Sequence, residues 1–316
     1  MTEDELINKG FRMFGSGGFP TLLQFETSTV CNSSCLMCPH KDMAPRPMMK
    51  WSTIIKLLHE AVPYAQFICP FLMQEPTCEP RLVDILSSIK VQNPNAFTTV
   101  YSNMAAMTPE LSADLIDSNA LDELRISFYG PTEELHRKWQ KGLDWLTTKK
   151  NIEYFMAYRN LKPRCRPKVY MHMITMPELM DEFPRFKEEW QSKVDDIYIV
   201  HFDTFHGKIS NYGDEKRYWG EPAKTRTPCE RLWNSFVVHS DGDVVPCCID
   251  YEPEIVFGNV NETSPMKIWR NELFDTFREQ HIYSWMHQDF DDIPLCKDCE
   301  IWMYQHNKGW NDLWTK

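Results

Sequence analysis

Three cysteines stand in a C-x3-C-x2-C arrangement, Cys31-Asn-Ser-Ser-Cys35-Leu-Met-Cys38. Three thiolates on one short loop suit three corners of a cubic iron–sulfur cluster and leave the fourth iron open to an outside chelator. Structural zinc is the alternative, with His40 supplying the fourth tetrahedral ligand. A second group, Cys229, Cys247, Cys248, Cys296 and Cys299, lies in the last third of the chain. The chain has 11 cysteines in 316 residues, and its start, Met1-Thr2-Glu3-Asp4-Glu5-Leu6, lacks the basic region and apolar core of a signal peptide. An odd count in a large chain without an export signal argues for metal ligation over a disulfide framework, and for a cytoplasmic protein. Cys69, Cys78 and Cys165 are scattered and read as small buried apolar residues or spare thiols.

The elements that must position these groups alternate along the chain. Short β-branched or aromatic runs at 21–28, 66–73, 97–103, 124–129, 168–175 and 196–203 predict six strands. Between them, apolar residues at three-to-four spacing predict helices over 52–62, 81–90, 109–117, 132–146 and 178–192. In the first of these Ile54, Ile55, Leu57, Leu58 and Ala61 form the inward face. Thr108 before Pro109 reads as an N-cap followed by proline in the first turn. Six strands joined by crossover helices predict an α/β fold with a parallel sheet, curled or doubly wound, and its site at the carboxyl ends of the strands.

The pattern breaks over 204–227, a glycine-, proline- and charge-rich stretch that reads as a linker. A small cysteine-rich module follows. It opens on a hairpin from Phe236 to Val245 around Asp241-Gly242 and continues with a helix near 265–278. Trp233, Trp269, Trp285, Trp302, Trp310 and Trp314 read chiefly as packing for this module, and Asp289-Phe-Asp-Asp292 as solvated surface. Composition is that of a globular protein, 42% hydrophobic and 25% charged, with a net charge of −11. This excludes disorder, disfavours nucleic acid as the main partner, and with no apolar run of spanning length predicts no membrane segment.

The three-cysteine loop after the first strand resembles the hallmark of the radical S-adenosylmethionine (radical SAM) superfamily. The resemblance implies a partial (β/α)6 barrel over residues 15–205 and a bridging segment over 206–228. It also implies a 4Fe–4S cluster, held by Cys31, Cys35 and Cys38, whose open iron is chelated by SAM. Reductive cleavage of SAM would then give a 5′-deoxyadenosyl radical that abstracts hydrogen from an unactivated carbon. Where relatives carry Gly-Gly-Glu-Pro after strand two, this chain has Met73-Gln74-Glu75-Pro76, which makes Glu75 the candidate contact to the SAM amine. Tyr101-Ser102-Asn103 stands in place of Thr-Asn-Gly, and Arg125-Ile-Ser127-Phe-Tyr-Gly130 is similar to a Ser-Ile-Asp-Gly strand end with Tyr129 replacing the acid. By that resemblance Ser127 touches the ribose or carboxylate of SAM, Ser102 or Asn103 lies nearby, and the Met37 backbone meets the adenine.

The second cysteine group resembles a twitch domain, the short form of the SPASM extension, over residues 229–316. Its implied ligands to one auxiliary 4Fe–4S cluster are Cys229, Cys247, Cys296 and Cys299, with four thiolates as equally suited to zinc on spacing alone. A cluster with four protein ligands has no open iron and suits electron transfer. Cys248 is left over beside a ligand, either as a hydrogen-atom donor to a substrate radical or as a packed thiol. The reaction implied is hydrogen abstraction from a small polar substrate, carbohydrate- or aminocyclitol-like, ending in epimerisation or two-electron oxidation, with a donor such as flavodoxin or ferredoxin. A peptide or protein substrate is the alternative within the family. A zinc-stapled, non-catalytic binding protein is the alternative outside it.

Overall fold

The computed structural model describes residues 18–163 and 166–304, together with Glu5 and Asn8. Six strands lie side by side in chain order, all parallel: β1 (Leu22–Phe25), β2 (Phe67–Cys69), β3 (Phe97–Ser102), β4 (Glu123–Ile126), β5 (Lys168–Ile174) and β6 (Asp196–Val200). The connections carry α1 (Trp51–Glu60), α2 (Leu82–Gln92), α3 (Pro109–Asp117), α4 (Glu133–Trp139), α5 (Trp145–Asn160), α6 (Pro177–Asp181) and α7 (Phe183–Trp190). α1 buries Ile54, Leu57 and Leu58 at three-to-four spacing while Ile55, expected inward, is exposed. Truncating Leu57, fully buried in the core with Leu23 and Ile68, costs about 2–5 kcal/mol through lost transfer energy and the cavity left behind. α3 begins as expected, with Thr108 Oγ1 accepting from the Leu111 amide at 3.2 Å.

Three expected helices are each two. The stretch 132–146 divides into α4 and α5, with Gly142 at φ +93° between them. Asp144 Oδ1 then caps α5 by accepting from the Thr147 amide at 2.7 Å. Residues 178–192 divide at Phe183-Pro184, because proline fits only the first turn of α7. The helix near 265–278 is likewise two elements, which follow α8 (Glu215–Trp219) and α9 (Arg231–Asn234); they are α10 (Pro265–Trp269) and α11 (Glu272–His287), and α12 (Ile301–Tyr304) comes last. α8 lies inside the stretch read as a linker.

The C-terminal part does not form a sheet of its own. β7 (Ser235–Val238) pairs in parallel with β1, Leu22 opposite Ser235 and Phe25 opposite Val238. β8 (Asp243–Val245) and β9 (Gly258–Asn259) add antiparallel strands, so one nine-stranded sheet runs β6-β5-β4-β3-β2-β1-β7-β8-β9. The expected hairpin is present as β7 and β8. Its turn uses Gly242 at φ +99°, where a Cβ would also clash with the Asn261 side chain. Trp233, Phe236 and Trp269 share one core with Leu23, Ile54 and Leu57, which fixes the cysteine-rich part to the first strand. Cys165, Trp310 and Trp314 lie outside the described residues. Among the described residues no helix is long and apolar enough to cross a membrane.

Candidate active site

The three-cysteine loop follows β1 and is pinned by backbone bonds to the end of α4 and the residues after it. The Ser34 amide donates to Lys141 O at 2.8 Å and the Leu36 amide to Trp139 O at 3.1 Å. Ser33 Oγ sits 3.0 Å from Cys35 Sγ and donates to Lys141 O at 3.0 Å. Burial pushes Cys31 and Cys35 up to about 12, and each thiol is raised further by its neighbours in the loop. Metal binding to such thiols would release their protons. His40, the alternative fourth ligand, is engaged instead, with Nε2 at 2.7 Å from Thr29 O.

Glu75 follows β2 at the start of a short 3-10 turn, Pro76–Cys78, and is 4% exposed. Its Oε1 accepts from Thr77 N at 3.1 Å, Thr77 Oγ1 at 2.7 Å and Ser102 Oγ at 2.7 Å. Oε2 accepts from the Asn103 amide alone among the described donors, at 2.8 Å, and so has a lone pair free. Burial holds the carboxyl above its usual range despite these bonds. A buried carboxylate with spare acceptor capacity and no cation beside it fits a ligand amine. Gln74, which stands where relatives have the second glycine, has its own bonds: its Oε1 accepts from the amides of Thr27 and Ser28 at 2.9 and 3.0 Å, holding the exit of β1 against that of β2.

The sequence-predicted residues converge. Cys31, Cys35, Met37, Cys38, Glu75, Ser102, Asn103 and Ser127 all line one cavity of about 340 Å³ at the carboxyl ends of β1–β6. Residues after β2 and after β6 face the same space, so the parallel sheet must curl around it. Two residues that sequence reasoning passed over also line it. His172 on β5 holds Nε2 at 2.8 Å from Tyr129 Oη and 3.3 Å from Ser127 Oγ, and burial pushes its pKa down to about 4. Gln140 ties the β4 exit together, accepting from Tyr129 N at 2.7 Å and donating to Ser127 O at 2.8 Å.

Cys229, Cys247, Cys296 and Cys299 converge separately on an enclosed cavity of about 40 Å³, bordered by Arg226, Arg231 and His281. Burial raises the Cys229 and Cys296 thiols and carries Cys299 up to about 11. Cys248 lines neither cavity. It packs with Leu72, Val237 and Val245, and accepts from Arg231 Nη1 at 3.2 Å. The Cys247 thiol, and then the Arg231 guanidinium, hold Cys248 below the ordinary thiol range. Among the described residues no three His, Cys, Asp or Glu side chains converge tightly enough for a single metal ion. A polynuclear cluster distributes its ligands over several metal atoms and does not require that convergence.

A third space, about 470 Å³, shares lining residues with the other two. It shares Tyr101, Val200, His201, Phe202 and Asp203 with the three-cysteine cavity and Arg231 and Ile301 with the four-cysteine one. Tyr198, Ile199, Glu215, Trp219 and Glu300 complete its lining.

Comparison with known proteins matches this geometry. Residues 25–189, just over half of the chain, match the radical SAM superfamily, and residues 229–300 match SPASM, the iron-sulfur cluster-binding domain. A 103-residue segment is 31% identical to the S-adenosyl-L-methionine-dependent 2-deoxy-scyllo-inosamine dehydrogenase of Niallia circulans, covering 33% of this chain and 38% of that enzyme. The fold is similar to BtrN in complex with AdoMet and 2-DOIA, with TM-score 0.60, 18% identity and coverage of 89% of this chain and 93% of BtrN. It is similar also to Streptococcus suis SuiB bound to precursor peptide SuiA, with TM-score 0.64, 15% identity and coverage of 87% and 70%. The radical SAM domain carries a 4Fe–4S cluster that binds SAM, and the SPASM domain carries auxiliary iron–sulfur clusters. With both domains matched in sequence and the parallel β/α fold matched in space, this chain belongs to the radical SAM superfamily.

Proposed function

We propose that this enzyme oxidises a small, polyhydroxylated or amino-bearing substrate by two electrons, in the space between its two cysteine-lined cavities. When bound, SAM and the cluster held by Cys31, Cys35 and Cys38 supply a 5′-deoxyadenosyl radical that takes one hydrogen atom from a substrate carbon. To become a carbonyl, that carbon must lose one further electron and its hydroxyl one proton. The observation that carries the reading is the shared lining: the third space touches the SAM cavity through Tyr101 and Asp203 and the four-cysteine cavity through Arg231. An electron acceptor then stands on one side of the substrate and the hydrogen-abstracting centre on the other.

The residues divide the work. Ser102, Asn103 and Thr77 orient Glu75 toward the SAM amine. Asp203, whose carboxyl burial raises above its usual range, faces both spaces and accepts the hydroxyl proton. Glu300 and Tyr198 offer hydrogen bonds to substrate hydroxyl or amino groups. A volume of about 470 Å³ falls within the ordinary range for small-molecule sites and supports a small substrate over a peptide. The peptide reading rests on the likeness to SuiB and is the second choice. The packing of Cys248 against Leu72 and Val237 supports oxidation over a thiol-quenched epimerisation.

The test is anaerobic incubation with SAM, a low-potential flavodoxin and a panel of aminocyclitols and sugars, scored for 5′-deoxyadenosine and for carbonyl product. Oxidation predicts a ketone and no solvent deuterium at the reacting carbon. An inverted, deuterated alcohol in heavy water would establish epimerisation instead. Asp203→Asn should lower kcat with SAM cleavage retained.

A further inference from the structure

His281 lies on α11 and is fully buried, and neither ring nitrogen has a hydrogen-bond partner among the described residues. Phe277 and Phe290 pack edge-on against the ring, with centroids at 5.2 and 5.8 Å, and satisfy nothing polar. An imidazole sequestered in this way is costly, because at least one nitrogen always carries a hydrogen and the other always carries a hydrogen or a lone pair. Among the described residues His281 borders the cavity ringed by Cys229, Cys247, Cys296 and Cys299. The guanidinium of Arg226 borders the same cavity and is fixed over the Phe290 ring at 4.3 Å, its backbone clamped by Gln288 at 3.2 Å on both sides. Neither residue is used by the chemistry assigned above.

We propose that His281 donates an N–H···S hydrogen bond to the auxiliary cluster and, with the fixed charge of Arg226, makes that cluster easier to reduce. The proposal rests on the reading that the four cysteines hold an iron–sulfur cluster. Its physical basis is that reduction adds negative charge to the cluster, and hydrogen bonds to its sulfurs and nearby positive charge stabilise the reduced form. A cluster so poised is suited to take an electron from a substrate radical. His281 is then a positioning and tuning residue, not a ligand.

The test uses the full chain carrying Cys31→Ala, Cys35→Ala and Cys38→Ala, so that the remaining cluster is the auxiliary one. With histidine labelled in its ring nitrogens, pulsed electron paramagnetic resonance of the reduced cluster should show a weak coupling to an imidazole nitrogen and to an exchangeable proton. His281→Phe should abolish both and shift the midpoint potential downward, while His281→Gln, which keeps an N–H donor, should restore part of that shift. Where His281→Phe fails to assemble, the coupling in the labelled parent decides. A four-iron cluster without histidine coupling, or with the same potential in His281→Phe, overturns the inference alone. So does a cluster that stays oxidised under a reductant that reduces the barrel cluster of the parent enzyme. A parent that holds no second cluster overturns the ligand assignment and the inference together.

Discussion

Ser102 Oγ donates to Glu75 Oε1 at 2.7 Å, joining the exit of β3 to the exit of β2 beside the three-cysteine cavity. The carboxylate is thereby oriented before any ligand arrives, with Oε2 left to receive one. Preorganisation of this kind lowers the ordering cost of binding.

Glu75→Gln removes the negative charge from a buried position facing the expected amine. A hydrogen bond to a charged group is worth about 1.5–3 kcal/mol, so SAM should bind roughly 10- to 100-fold more weakly. Ser102→Ala should weaken it by less. Equilibrium dialysis on the cluster-loaded protein measures both, and unchanged affinity in Glu75→Gln would remove this residue from the SAM site.

Cys296→Ala and Cys299→Ala each take one thiol from the enclosed cavity. Iron content should fall toward that of the barrel cluster alone, with substrate oxidation lost and uncoupled 5′-deoxyadenosine formation retained. Full iron stoichiometry and full turnover in both variants would exclude them as ligands.

Cys248→Ala removes a sulfur that faces Arg231 and apolar neighbours and lines neither cavity. Product identity should be unchanged. Any destabilisation should stay at about 1–2 kcal/mol, the scale of one lost hydrogen bond and a small cavity. Accumulation of 5′-deoxyadenosine without closed product would restore this thiol as the hydrogen donor.

The three-cysteine loop was legible in the sequence because its spacing is local, the second group because its pattern resembles a known domain, and the Glu-Pro position because a strand end locates it. The parallel order of the six strands followed from short β-branched runs separated by helices. What the sequence hid is long-range. Gln74 grips the backbone of Thr27 and Ser28, 47 and 46 residues away, and nothing beside it announces that role. The pairing of β7 with β1 joins opposite ends of the chain, so a part that reads as a separate module shares the sheet. The part of α5 beyond residue 146 lies outside the expected helix because Lys149, Lys150, Asn151 and Asn160 dilute its apolar stripe, leaving Ile152, Phe155 and Met156 to do the packing. His281 carries no motif; only the fold brings it to the cysteines.

His172 gives stability a pH dependence with a defined sign. Its pKa is held at about 4 in the fold against 6.5 for the free side chain, first by burial and then by the Arg125 guanidinium. The unfolded chain therefore takes up a proton near 6.5 and the folded chain only near 4, so the contribution is complete above 6.5 and is lost as pH falls between the two values. Going from about pH 7 to about pH 5.5 should cost about 1 kcal/mol from this residue. Urea unfolding of wild type and His172→Phe at both pH values measures it. Equal pH dependence in the two proteins would contradict the assignment.

Cys31, Cys35 and Cys38 are expected to hold the cluster that cleaves SAM. The most direct test is 5′-deoxyadenosine formation by anaerobically reconstituted wild type and the triple alanine variant, under the same reductant and with iron and sulfide assayed in both. Wild type should form 5′-deoxyadenosine and the variant should not, keeping only the iron of its second cluster. Sustained 5′-deoxyadenosine formation by the variant would contradict this assignment.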